Sequence, residues 1–286
     1  MEVRQALCIC PEPVSRAVCR VPEWETLEEL RFRMGKRLQM ICACGTRTLE
    51  IPVTQELLQF LLDRATKQSA YAVQDMLRCG FVTIPGGHRL GICGTAVVRQ
   101  GEITGIRNIS SLSLRIAREV RGAGEECMRL LWTRPQSTLL AGPPGAGKTT
   151  LLRDTVRLLS ARRRVCLVDE RQEVAACLNG LPQFDLGENT DILSAAPKEQ
   201  GIELLIRAMN PQWIALDEIT AAGDVRAIVR ASYCGVKFLA TAHAANRQEL
   251  FSRPLYRALM EEGIFRNLVF LSEDHKIRTE RWEGEC

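Results

Sequence analysis

The chain has 286 residues, of which 46% are hydrophobic, 25% charged and 5% aromatic, and its formal net charge is +4. This is the composition of an ordinary soluble globular protein, longer than one small domain, so two domains are the default. The weak charge and sparse aromatics supply little for tracking or stacking nucleic acid. No apolar run is long enough to cross a bilayer, and Met1–Cys8 lacks the core and cleavage site of a secretory signal. A cytoplasmic chain with no membrane span of its own is expected. Its twelve cysteines then read as reduced thiols, several of them buried. Cys8-Ile-Cys10 and Cys42-Ala-Cys44 lack the spacing of common zinc sites.

From the N-terminus, Thr26-Leu-Glu-Glu29 has the form of a capping box and predicts a short amphipathic helix over Leu27–Arg37. Strand-like runs follow at Leu38–Cys42 and Thr48–Val53. Thr54 then caps a helix carrying Leu57, Leu58, Leu61, Leu62 and Ala65 at helical spacing. A further helix over Ala70–Cys79 stops at Gly80. Phe81–Ile84, Arg89–Val98 and Ser110–Ala117 read as strands, with turns at Pro85–Gly87 and Gln100–Glu102. An α+β domain over residues 1–121 is expected, ending near the glycines of Arg121-Gly-Ala-Gly124.

In residues 122–286, apolar strands alternate with helices, the pattern of an α/β domain with a mostly parallel sheet flanked by helices. Strands are expected at Ser137–Ala141, Arg164–Val168, Trp213–Leu216, Val236–Ala240 and Leu268–Leu271, with an edge strand at Lys276–Trp282. Helices are expected from Leu151, then over Gly201–Met209, Asp224–Tyr233 and Arg247–Met260. Between the first strand and its helix stands Gly142-Pro143-Pro144-Gly145-Ala146-Gly147-Lys148-Thr149-Thr150. This is a P-loop in the context that gives the motif meaning. Its backbone N–H groups and the helix dipole suit phosphate, Lys148 suits the terminal phosphates, and the Thr149 hydroxyl suits Mg²⁺.

Trp213-Ile-Ala-Leu-Asp217-Glu218 reads as a strand that ends in one carboxylate for Mg²⁺, Asp217, and one to activate water, Glu218. Val165–Asp169 runs into Glu170 and Glu173, and Phe238–Ala240 runs into Thr241-Ala-His243. Open parallel sheets gather ligands outside the carboxyl ends of their strands. Lys148, Glu170, Asp217 and His243 are therefore expected around one crevice, whereas His88 and His275 have no such support. Arg115, Arg118 and Arg207 are candidate phosphate cations, each equally readable as a surface ion-pair partner. The run Arg162–Arg164 reads as a solvated helix end.

The order of P-loop, acidic box, Arg207-x-Met209-x-Pro211, Asp217-Glu-Ile219 and Thr241-x-His243 resembles the type II/type IV secretion and pilus ATPases. Its sporulation branch is resembled most closely, through Ile84–Gly94, Ile109–Arg118, Val168–Arg171, Asp191–Leu193, Pro197-Lys198 and Ile206–Pro211. The resemblance implies a RecA-like ATPase core, ATP and Mg²⁺ as ligands, and a ring hexamer. It also implies membrane-embedded sporulation channel proteins as partners, during endospore formation in the mother-cell cytoplasm. Carried over by position, Glu170 and Glu173 match the acidic box and His243 the histidine box. Thr220 departs from the pattern, standing where secretion relatives usually have arginine and the sporulation branch glycine. A nucleotide-dependent switch or scaffold is the alternative to a motor, and a nucleic-acid-binding P-loop protein is a third reading. An AAA+ core would need a helical lid where this tail returns to a strand.

Overall fold

The computed structural model describes residues 2–67 and 80–283. The chain divides into two compact units, Met1–Arg118 and Glu119–Cys286. The helix expected over Ala70–Cys79 lies outside the described residues.

The first unit contains α1 (Glu2–Ala6), α2 (Glu12–Cys19), β1 (Leu27–Arg33), β2 (Arg37–Cys42), β3 (Gly45–Pro52), α3 (Gln55–Thr66), β4 (Phe81–Ile84), β5 (His88–Arg99) and β6 (Glu102–Arg115). Its strands form an antiparallel sheet in the order β3-β2-β1-β6-β5-β4. Leu30, Phe32, Leu38, Met40, Leu90, Leu112 and Leu114 form one core with Val14 and Val18 of α2 and with Leu58 and Leu61 of α3. The Thr54 side chain caps α3, accepting from the Leu57 N–H as expected.

The helix expected over Leu27–Arg37 is instead strand β1. The Thr26 hydroxyl donates to the Glu23 carbonyl and does not cap a helix. Leu30 and Phe32 point inward while Glu29, Arg31 and Arg33 point outward, the period of a strand. Pairing with β2 on one side and β6 on the other gives β1 a full ladder. Burying two large apolar side chains then outweighs a local capping signal worth about 1 kcal/mol.

His88 is fully buried, and its Nδ1 accepts from the Ala117 N–H at 3.0 Å. Burial, opposed by Glu2 and reinforced by Arg118, pushes its pKa down to about 4 from an ordinary 6.5. Between those values the unfolded chain binds a proton that the folded chain refuses, so stability is lost as pH falls through that window. The window is worth up to about 3 kcal/mol. In urea unfolding at pH 6.5 and pH 4, His88→Leu is expected to flatten the acid loss by about that amount. An unchanged pH slope would show that His88 is not held neutral.

The second unit contains α4 (Glu125–Thr133), β7 (Thr138–Gly142), α5 (Lys148–Ser160), β8 (Val165–Asp169), β9 (Thr190–Ser194), α6 (Lys198–Met209) and β10 (Trp213–Leu216). After these come α7 (Ala222–Ser232), β11 (Lys237–His243), α8 (Arg247–Ser252), α9 (Pro254–Glu261), β12 (Asn267–Leu271) and β13 (Ile277–Arg281). The sheet order is β13-β12-β7-β11-β10-β8-β9, parallel except for the β12–β13 pair. Side chains from both faces of β7 enter cores: Leu139 and Ala141 in one, Leu140 in the other. That is why this strand reads as a continuous apolar run.

The single helix expected over Arg247–Met260 is two helices. Pro254 has no N–H to continue a helix, and it holds Arg253 extended at φ −90°, ψ 119°. β9 and α4 were not expected from the sequence. Among the described residues no helix is long and apolar enough to cross a membrane. No cluster of three or more His, Cys, Asp or Glu residues among them could hold a metal, and their ten cysteines are free. Burial pushes the Cys10 and Cys127 thiols up to about 12, so neither is a ready nucleophile at neutral pH.

Candidate active site

The site is built at the carboxyl ends of β7, β11, β10 and β8, which are neighbours in that order. From β7 the chain enters the glycine-rich turn, where Gly145 and Gly147 adopt φ +78° and +92°. These values favour glycine and let the turn reach the start of α5. No side chain caps α5 at Gly147, in contrast to α3 and α8, which Thr54 and Asn246 cap. The first turn of α5 therefore presents an N-terminus suited to an anion.

Lys148 Nζ donates to the Gly142 and Pro143 carbonyls at 2.9 and 2.8 Å and lies 3.1 Å from His243 Nδ1. Desolvation lowers its pKa against the opposing pull of Asp217 and Glu218. A lysine donating to His243 Nδ1 leaves the neutral ring's proton on Nε2, which lies 2.9 Å from Glu218 Oε1. One imidazole thus bridges the P-loop lysine and the second acidic residue after β10.

The adjacent carboxylate is held differently. Asp217 accepts from the Thr149 hydroxyl at 3.1 Å and from the Thr241 hydroxyl at 2.8 Å. Burial raises its pKa, while those two hydroxyls hold it down. Thr241 Oγ1 also accepts from the Glu218 N–H at 2.7 Å, fixing a residue whose φ is +50°. The Tyr256 hydroxyl on α9 accepts from the His243 N–H at 3.1 Å and donates to the Ile219 carbonyl at 3.2 Å. Just beyond, Asp224 Oδ2 accepts from the N–H groups of Thr220 and Ala221. The Thr220 position therefore forms the entry to α7 through its backbone.

The acidic segment after β8 divides by role. Asp169 is fully buried and accepts the N–H groups of Glu173, Val174 and Ala175 at 2.8 to 3.2 Å. Arg153 of α5 donates to the Glu173 and Val174 carbonyls and stacks over Phe184. The segment is thereby tied to the P-loop helix. Glu170 pairs with the buried Lys198 of α6. Arg171 Nη1 reaches across to Glu218 Oε2 at 2.6 Å.

Of the four residues expected around one crevice, the structure joins Lys148, Asp217 and His243 in a connected set with Thr149, Glu218 and Thr241. Glu170 faces Lys198 instead. Arg118 donates to the Glu25 and Leu27 carbonyls within the first unit, and Arg207 donates to the Glu203 carbonyl of its own helix. Sequence reasoning gave Arg171, Tyr256 and His275 no part, although Arg171 stands in the quoted Val168–Arg171 segment. His275 Nδ1 lies 2.9 Å from the Ala146 carbonyl of the P-loop. No local signal at Tyr256 or His275 could have announced contacts with residues so far back in the chain.

Hard oxygen donors suit Mg²⁺, and here a hydroxyl and a carboxylate, Thr149 and Asp217, lie together beside an uncapped helix N-terminus and a lysine. The residues present fit a Mg²⁺–nucleotide. With the strand order and the turn between a central strand and its helix, they define a RecA-like P-loop fold. Two solved structures share this fold over nearly the whole chain. The Legionella pneumophila ATPase DotB gives a TM-score of 0.62 at 14% identity, covering 95% of this chain and 80% of that one. The pilus retraction motor PilT, solved with bound ADP, gives 0.64 at 15%, covering 91% and 76%.

More specifically, the chain belongs to the family described as sporulation stage III, protein AA, whose model matches residues 12–281. Stage III sporulation protein AA of Bacillus subtilis (strain 168) is 36% identical over 273 residues, 92% of this chain and 89% of that protein.

Replacing Asp169 by alanine would strand the buried N–H groups of Val174 and Ala175, each costing about 1–3 kcal/mol when unsatisfied, and the half-buried one of Glu173. Asp169→Ala is expected to lower unfolding free energy in urea by at least about 2 kcal/mol. A loss under 0.5 kcal/mol, on the scale of an inconsequential surface change, would contradict the anchoring role.

Proposed function

We propose that this chain is the ATP-hydrolysing subunit of a Mg²⁺-dependent motor. The observation that carries the reading is the connected set at the strand ends: Lys148, His243 and Glu218 in one chain of contacts, with Thr149 and Asp217 in another. Lys148 and the N–H groups of Gly145–Thr149 would hold the phosphates, and Thr149 and Asp217 would hold Mg²⁺. The metal, when bound, neutralises charge on the phosphate oxygens. Glu218 orients a water for in-line attack on the γ-phosphorus and takes its proton. The new P–O bond forms as the bond to the β–γ bridging oxygen breaks, giving ADP and phosphate. His243 fixes one oxygen of Glu218 and so links its position to that of Lys148. Glu170, paired with Lys198, would report nucleotide state outward from the acidic segment.

Membership of the sporulation family supports a role beside membrane-embedded channel proteins between mother cell and forespore. The kinship with secretion motors supports a ring hexamer in the cytoplasm. A specific observation also favours a second reading, a switch or scaffold with negligible turnover. Both oxygens of Glu218 and all three donor positions of Lys148 are engaged by protein groups.

The test is steady-state ATP turnover across a protein concentration series. For a ring with shared sites, turnover per subunit is expected to rise with concentration. Glu218→Gln is expected to keep nucleotide binding while turnover falls at least 100-fold, and Lys148→Ala to weaken binding at least tenfold. Wild-type turnover in the Glu218→Gln variant would remove Glu218 as base. Nucleotide binding with no Glu218-sensitive turnover would establish the switch.

A further inference from the structure

We propose that Arg171 is a positioning residue for the proposed hydrolysis. It acts through Glu218, holding the carboxylate where it can orient water, and it therefore sets kcat and not nucleotide affinity. The proposal rests on the ATPase reading above.

Arg171 is the second residue beyond β8, and β8 pairs in parallel with β10, whose end carries Glu218. The reach is therefore between neighbouring strand ends. The backbone that carries Arg171 is fixed on its far side. Gln172, at φ +55°, donates its N–H to the Asp169 carbonyl, and Asp169 then collects the next three N–H groups. Arg153 holds the carbonyls of the same segment. The guanidinium carried on that base lies 2.6 Å from Glu218 Oε2.

The carboxylate it meets is short of other restraints. Glu218 sits on a left-handed backbone that a non-glycine residue adopts at a cost, fixed by a single N–H bond to Thr241. Its side chain is 20% exposed, against 54% for Arg171. Arg171 and His243 each take one oxygen. A carboxylate offers about four lone-pair sites, so two remain for water. The two donors set the plane of the carboxylate without consuming it.

The bland alternative is a surface ion pair, and such pairs contribute about 0–1 kcal/mol to stability. That small value makes the proposal testable, because removing Arg171 should leave the fold intact. Misplacing a catalytic group by about 1 Å can cost on the order of 100-fold in rate, so the two roles separate clearly.

The experiment compares wild type, Arg171→Ala and Arg171→Lys in steady-state turnover, and in binding of a fluorescent ADP with and without aluminium fluoride and Mg²⁺. Arg171→Ala is expected to lower kcat 10- to 100-fold with KM and ADP affinity within about twofold. Arg171→Lys should restore part of the rate, since an ammonium keeps one charged bond. In a Glu218→Asp background, whose shorter carboxylate the guanidinium cannot meet in the same way, Arg171→Ala should cost less than about twofold. Aluminium fluoride should tighten ADP binding to wild type and do so far less in Arg171→Ala. An unchanged or raised kcat, an equal loss of ADP affinity, or an undiminished effect in Glu218→Asp would overturn the proposal. If wild type shows no turnover, the ATPase reading falls by that result. The pair is then decided by the aluminium fluoride gain alone, and an equal gain in both proteins, or none in wild type, overturns it.

Discussion

A half-buried carboxylate between two hydroxyls organises this site. Asp217 is largely withdrawn from water, so its charge is better held with donors beside it. It receives them from Thr149 on the P-loop helix and from Thr241 on the neighbouring strand. Those bonds tie three elements: the start of α5, the end of β10 and β11. The same Thr241 hydroxyl accepts from the Glu218 N–H. The side chain that satisfies the Asp217 carboxylate therefore also sets the backbone of the next residue. Moving any one of these groups moves the others, and the parallel sheet supplies the rigidity that makes the arrangement reproducible.

A consequence is that the site is satisfied within itself. Lys148 donates to carbonyls of the turn that precedes it, and His243 and Arg171 occupy Glu218. A phosphate must offer Lys148 more than two carbonyls and an imidazole do. A full anionic charge beside the ammonium adds a direct attraction of opposite charges that neutral acceptors do not give. Displacing Lys148 removes the donor from His243 Nδ1, on the ring whose other nitrogen holds Glu218. The route from Lys148 to the Glu218 carboxylate is thus two hydrogen bonds long and passes through one imidazole ring. Tyr256 steadies that path from outside, joining the His243 backbone to the strand exit at Ile219.

The alternating units of the second half are legible in the sequence because each buried parallel strand is a short apolar run closed by polar residues. The glycine-rich turn requires positive φ at Gly145 and Gly147. Its sequence and its backbone therefore carry the same information. β1 shows where this fails. Thr26 and Glu29 satisfy a helical pattern locally, while Leu30 and Phe32 satisfy a strand pattern, and only the two partner strands decide between them. The break between α8 and α9 was written in Pro254. β9 was hidden because Asp191 and half-buried neighbours give it no apolar signature.

The site divides along the same line. Lys148, Thr149, Asp217 and His243 sit at fixed offsets from strands that can be recognised, so their convergence follows from the sheet order. Arg171 and His275 were not legible, for a different reason. Each lies in a loop whose path depends on a distant anchor: for Arg171, the backbone bonds collected by Asp169 and the carbonyls held by Arg153. An acidic residue written as one of a cluster of three proves to be the buried post around which the segment turns. The two charges that follow that post then face in different directions, Glu170 to Lys198 and Arg171 to Glu218. The sequence lists these charges side by side, but the turn built on Asp169 sends one toward α6 and the other toward the site.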